Sequence, residues 1–175
     1  IPQINEKIKN EKELLSNLKI SDIVKKNQKI LIQIKKDSND KKGAKVSTHI
    51  SIPSRYVVFM PNTQIITISQ KIPEGERKEN LLKLVKNCIS GNDGAVIRTS
   101  AQEASDEDIK KDIQRCIKKW KLIQEKSENS EIDTLVYESE SVQEKILLDI
   151  KVDRIITNNQ EEFNKLKKII QFDEI

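Results

Sequence analysis

The chain is 175 residues long, 34% charged, 35% hydrophobic and 3% aromatic, with a formal net charge of +4. That length holds one ordinary domain or two small ones around a lean core of Ile and Leu. No apolar run approaches the ~18 residues of a membrane span and no secretory signal pattern opens the chain, so a cytoplasmic protein without a membrane span is expected.

The chain starts Ile1-Pro2 without an initiator Met, which suggests a piece of a longer protein. Residues 1–45 carry twelve basic and six acidic side chains, whereas the remainder is slightly acidic. A basic stretch of this kind suits a polyanion, nucleic acid foremost. A Lys-rich solvated surface produces the same statistic. Within it, residues 6–19 (EKIKNEKELLSNLK) predict a short exposed helix or ordered loop. Two strands follow at 29–36 (KILIQIKK) and 44–52 (AKVSTHISI), because Ile30, Ile32 and Ile34 alternate with Leu31, Gln33 and Lys35. The polar DSNDKKG between them reads as a hairpin connection. His49, the single histidine, falls in the second of these strands and is expected to be structural, with no visible partner for general-base work.

Strands are next predicted at 56–60 (YVVFM), stopped by Pro61-Asn62, and at 65–68. The period then changes. Leu81, Val85 and Cys88 recur at helical spacing over 76–89, and Ser90-Gly91-Asn92-Asp93-Gly94 ends that helix in a turn. A short buried strand is expected at 95–99 (AVIRT). The clearest helix spans 106–126, with Ile109, Ile113, Cys116, Ile117, Trp120 and Ile123 on one face and Ser105 as its cap, paired with Asp108 at capping-box spacing. A strand at 135–137, a helix at 139–150, a strand at 152–157 and a helix at 159–170 complete a βαβα run that looks truncated. Cys88 and Cys116 lie on helical stripes without CxxC spacing and are expected to be buried, reduced thiols. The overall class is α+β.

The chemistry is selective. HExxH, GxSxG, a Walker loop and a metal-spaced Cys/His cluster are all missing, and the carboxylates sit beside lysines as they do on solvated helix faces. Four glycines are too few for a Gly-rich phosphate cradle. Arg98-Thr99 stands apart. A buried strand delivers both at its end, where a guanidinium fork fits phosphate bidentately and the Thr adds a hydroxyl and an N–H. An Arg in this position can equally pair with a surface acid. The nearby helix start is a poor anion site, since Asp106, Glu107 and Asp108 already compensate its dipole.

The stretch KKGAKVSTHISIPSRYVVFMPNTQIITISQKI at 41–72 resembles the ribonuclease E/G family. The family pattern runs KGA, L/V-T-T-x-I-S, a Gly-or-Ser–x–Tyr turn, V/L-x-M-P-N and I-S-R/Q-K/R-I. GERKE at 75–79, GAVIRTSAQEAS at 94–105, Trp120, LVYES at 135–139 and VDRII at 152–156 continue the resemblance in order. It covers residues 29–157. Three places depart: Ser54 stands where some members have Gly, Gln70 replaces a basic residue so that only Lys71 remains at that pair, and Gln102-Glu103 replaces the usual Glu-Gly.

The resemblance implies a domain plan. Residues 1–48 would be the C-terminal part of an OB-fold RNA-binding domain, contributing partial β-barrel strands. Residues 49–143 would be a mixed α/β 5′-sensor region, and 144–175 the start of a ribonuclease-H-like subdomain. The implied activity of the parent is Mg²⁺-dependent, single-strand-specific endoribonuclease cleavage in RNA processing and decay, by a homo-oligomer. Its catalytic aspartates and its structural Zn²⁺ ligands would lie outside this chain, leaving the piece without cofactor or catalytic residue. The implied partner is single-stranded RNA bearing a 5′-monophosphate. Arg98 and Thr99 would bind the phosphate, Ser54 and Val58 would contact the terminal nucleotide, and Lys42 would contact RNA from the OB-fold. Lys42 also reads as a solvated hairpin lysine, and Val58 as core. The rival expectation is a stand-alone RNA-binding module without nuclease activity.

Overall fold

Alternation along the strands decides which side of the main sheet is dry. Val57 and Phe59 are buried while Val58 and Met60 are half-buried, and Ala95 and Ile97 are buried while Val96 is half-buried. In a computed structural model, which describes residues 24–139, 141, 146–147 and 154–171, these residues belong to one four-stranded mixed sheet. Its order is β3 (Ile52–Pro53), β4 (Val57–Met60), β6 (Gly94–Ile97), β5 (Ile66–Ile68). β3 and β4 are antiparallel, as are β4 and β6, whereas β5 runs parallel to β6.

A parallel pair needs a crossover, and helix α1 (Glu76–Cys88) supplies it between β5 and β6. Helix α2 (Asp106–Asn129) packs against α1, β3 and β4. Leu81 and Val85 of α1 and Ile109, Ile113, Cys116 and Ile123 of α2 are buried. With Ile52, Val57, Phe59, Ile72, Ala95, Ile97 and Ala101 they form the core. Each fully buried large side chain contributes about 1.5–3 kcal/mol, so a small aliphatic core suffices to hold this layer. The α2 stripe agrees with the spacing of the sequence, as does its cap. Ser105 Oγ accepts from the Asp108 N–H at 3.1 Å and donates to Asp108 Oδ2 at 2.7 Å.

The chain divides into residues 1–31 and 32–175. Of the first, the described part is a turn at 25–28 in which Gln28 N–H donates to the Lys25 carbonyl at 3.1 Å and Asn27 takes φ 66°. The second holds the sheet just described and a separate antiparallel ribbon, β1 (Gln33–Lys36) with β2 (Lys45–Ser47). Both ribbon strands are shorter than expected, since two strands with no third neighbour have little to pair with. Ile34 and Val46 face each other across it and are exposed. Helix α3 (Gln160–Gln171) is capped by Asn159, whose Oδ1 accepts from Glu161 N–H at 2.9 Å and Glu162 N–H at 3.1 Å.

The α+β class therefore stands, with small sheets and no closed barrel among the described residues. The strand expected at 135–137 is irregular instead, and Leu135 is 72% exposed. Among the described residues no strand pairs with it, and an extended segment becomes a strand only by pairing. Residues 154–157 are likewise irregular. The helix expected at 6–19, most of that at 139–150 (146–147 are helical), and the start of the strand expected at 152–157 lie outside the described residues. His49 is not in a strand either. It is exposed in the bend after β2, its N–H donating to Ser47 Oγ at 3.1 Å.

Candidate functional site

Arg98 follows directly on β6 and prolongs its pairing with β4 by one bond, Arg98 N–H to the Tyr56 carbonyl at 2.9 Å. The chain then leaves the sheet in a 3₁₀ turn, Thr99–Ala101. Position 98 has the same parity as Val96, so its side chain leaves on the side away from the helices. There its Nη1 donates to the Ser54 carbonyl at 2.7 Å. Arg98 is half-buried and Thr99 is exposed. The Thr99 and Ser69 hydroxyls lie 3.0 Å apart, and Ser69 N–H donates to the Ile97 carbonyl at 2.9 Å. The Arg-Thr pair is thus flanked by the 54–56 turn on one side and by Ser69 on the other.

The turn is held as firmly as the strand. Ser54 N–H donates to the Val57 carbonyl at 2.8 Å, and Ser100 Oγ donates to the Arg55 carbonyl at 2.5 Å. The Arg55 guanidinium stands 5.5 Å from the centroid of the Tyr56 ring, a cation–π distance. Ser54 is only 7% exposed because its hydroxyl points inward and donates to Asp112 Oδ1. Its carbonyl, not its side chain, is what meets Arg98. The Ser-for-Gly departure therefore adds no side chain on the Arg98 side of the turn.

A second arginine shapes the loop beyond. Arg77 donates through Nε to the Gln102 carbonyl at 3.1 Å, through Nη2 to the carbonyls of Ala101 at 3.3 Å and Ala104 at 2.5 Å, and through Nη1 to Asp106 Oδ1 at 2.8 Å. Its helix begins after Gly75, whose φ of 145° is open to glycine and strained for other residues. Arg77 pairs with Asp106, and Glu107 and Asp108 share that first turn.

Of the other expected site residues, Val58 lies on β4, paired with Val96 and Pro53, half-buried on the sheet face opposite that of Val57 and Phe59. Lys42 is exposed at the tip of the β1–β2 ribbon, where it closes a tight turn with Asn39. The fold gathers Arg98, Thr99 and Ser54 and leaves Lys42 on a separate ribbon. Two residues were missed. Asp112 is 2% exposed and accepts from the Tyr56 N–H at 2.9 Å as well as from Ser54. A signal existed, since Asp112 falls at i+3 from Ile109 and i−4 from Cys116, inside an apolar stripe where a carboxylate is out of place. Arg77 was visible only as part of GERKE. Cys88 is half-buried rather than buried, and Cys116 is buried; neither is held in a disulfide. Partial burial pushes the Cys88 thiol up from its ordinary range, with Lys110 opposing.

The sequence profile of the Ribonuclease E/G family matches residues 51–174. The chain belongs to the ribonuclease E/G family. Ribonuclease G of Salmonella typhimurium is 29% identical over 150 residues, which is 84% of this chain and 31% of that protein. Ribonuclease G of Escherichia coli K12 is 30% identical over 139 residues, 78% of this chain and 28% of that protein. Ribonuclease E of Nostoc is 25% identical over 155 residues, 87% of this chain and 23% of that protein. The chain thus spans roughly a quarter to a third of the length of these relatives. The ribonuclease E/G match takes in the 54–56 turn, Arg98, Thr99, Arg77 and Asp112, whereas Lys42 precedes it. Among the described residues no helix is long and apolar enough to cross a membrane.

Proposed function

We propose that this chain recognises the 5′-monophosphate of single-stranded RNA for a longer endoribonuclease, with Arg98 and Thr99 as the phosphate-binding pair. The observation that carries the reading is the placement of Arg98. A half-buried guanidinium is fixed in direction by the Ser54 carbonyl, and the next residue in the chain, Thr99, is exposed with its hydroxyl 3.0 Å from that of Ser69. A guanidinium fork and a hydroxyl match the oxygens of one phosphate. A 5′-hydroxyl end would forgo the phosphate's hydrogen bonds to this pair, worth about 1–3 kcal/mol, and a triphosphate would be too bulky for one clamp. Half-buried Val58 and the backbone at Ser54 would meet the terminal nucleotide.

Family membership supports an RNA substrate for the whole protein, because the matched relatives bear ribonuclease names. Among the described residues no group of three or more His, Cys, Asp or Glu could hold a metal ion. Neither Mg²⁺ nor structural Zn²⁺ is assigned to these residues, and the role proposed for them is recognition.

The test is fluorescence anisotropy with one short single-stranded oligonucleotide, 3′-labelled, carrying either a 5′-monophosphate or a 5′-hydroxyl. The phosphorylated form should bind more tightly by about 5- to 150-fold, the span that 1–3 kcal/mol represents. Arg98→Ala should erase that preference while affinity for the hydroxyl-ended RNA is kept. Equal losses on both RNAs would remove Arg98 from the phosphate site.

A further inference from the structure

Asp112 has more to do than a buried carboxylate in a helix–sheet contact requires. Both of its oxygens are used. Oδ1 accepts from the Ser54 hydroxyl and Oδ2 from the Tyr56 N–H at 2.9 Å. The opposite side of the same turn is used just as fully. The Ser54 carbonyl accepts from Arg98 Nη1 at 2.7 Å, the Arg55 carbonyl from Ser100 Oγ at 2.5 Å, and the Tyr56 carbonyl from Arg98 N–H at 2.9 Å. Three successive carbonyls of the turn thus receive donors from residues 98 and 100, which bracket Thr99. Asp112 grips the turn from the core, and the turn grips the Arg98–Ser100 segment from outside.

The peptide joining Arg55 and Tyr56 shows the coupling directly. Its N–H points at Asp112 and its carbonyl at Ser100, so one planar unit relays the position of the carboxylate to the residue after Thr99. Hydrogen bonds in series polarise one another in a low-dielectric interior. A carboxylate at the inner end strengthens the carbonyl as an acceptor at the outer end. Packing alone would be served by an apolar residue at position 112, between Ile109 and Cys116 on a buried stripe.

We infer that Asp112 is the positioning residue of the phosphate site: through Ser54 and Tyr56 it sets the turn that aims Arg98 and holds Thr99 in place. The inference rests on the phosphate-binding reading given above. Asp112 touches no RNA itself and acts through the turn.

The experiment uses the 175-residue chain and the two 3′-labelled oligonucleotides, reading the ratio of the two dissociation constants. Asp112→Asn keeps the shape of the side chain but removes its charge; its oxygen can still accept from the Tyr56 N–H while its amide donates to the Ser54 hydroxyl, so what is lost is bonding to a charged acceptor. The ratio should fall about tenfold, as befits the loss of a charged acceptor, with affinity for hydroxyl-ended RNA unchanged. Ser54→Ala removes a single hydroxyl and should give a smaller fall; it decides the matter if Asp112→Asn does not fold. Ile109→Val thins the same helix face, and should lower the melting temperature without moving the ratio, which separates positioning from simple stability. A wild-type ratio that Arg98→Ala erases but folded Asp112→Asn and Ser54→Ala both retain overturns the inference and leaves the phosphate site standing. A wild-type chain with no preference for the phosphorylated RNA overturns the phosphate reading, and this inference with it.

Discussion

At Gly94 the chain has no room for a methyl group. A Cβ built there would collide with the Ile65 carbonyl oxygen and come within 3.0 Å of the Ile65 nitrogen, both backbone atoms that cannot swing aside. The same carbonyl accepts the Ala95 N–H at 2.9 Å, so β5 cannot retreat without breaking the bond that starts its pairing with β6. Gly94→Ala should therefore cost about 1–3 kcal/mol, as overpacking does. Urea unfolding should show a lower midpoint with an unchanged slope; an unchanged midpoint would mean the strands part more easily than this contact implies. At this scale, chemistry was legible where a residue type is unusual for its place. An Arg-Thr pair at the end of a buried strand stands out in the sequence, and so does a carboxylate at 112 inside an apolar stripe, but what Asp112 holds does not. Its meaning comes from a partner 58 positions away in the chain, which no local pattern contains.

Elements were legible where one chain segment decides its own pattern. α2 could be read from its stripe and its Ser105 cap, because both are set within the helix. The 135–137 segment has strand-forming residues, but a strand also needs a neighbour, and that information lies elsewhere in the chain. The loop at 101–106 is intermediate: it has no regular pattern, yet Arg77 organises it from α1 by reaching three carbonyls and one carboxylate. Arg77→Ala should loosen this loop more than the helices. Hydrogen exchange at the Ala101 and Gln102 amides, which donate to the Arg98 and Thr99 carbonyls at 3.0 Å, should accelerate about tenfold. Arg77→Lys should not restore the protection, because a single ammonium cannot span acceptors arranged for a planar fork. Full protection in the Ala variant would show that the 3₁₀ turn holds without the clamp.

For the molecule as a whole, the proposed recognition of RNA makes separable demands on charge and shape. Residues 1–45 hold a two-to-one excess of basic over acidic side chains, and Lys42 lies in that stretch on an exposed ribbon apart from the Arg98 site. A lysine that meets RNA there neutralises a backbone phosphate and releases counterions, without regard to what stands at the 5′ end. Lys42→Ala should therefore weaken the phosphorylated and hydroxyl-ended oligonucleotides by the same factor. The plot of log affinity against log salt should become shallower by about 0.7, the contribution of one phosphate contact on a single strand. Arg98→Ala should do the opposite, removing the difference between the two RNAs and leaving the salt slope for the hydroxyl-ended one in place. If Lys42→Ala leaves both affinities and the slope unchanged, the ribbon lysine is a solvated surface charge, and the basic excess acts through other side chains or not at all. If it lowers only the phosphorylated RNA, then Lys42 belongs to the terminal-phosphate site despite its place on a separate ribbon, and the division between a general electrostatic surface and a local phosphate clamp fails.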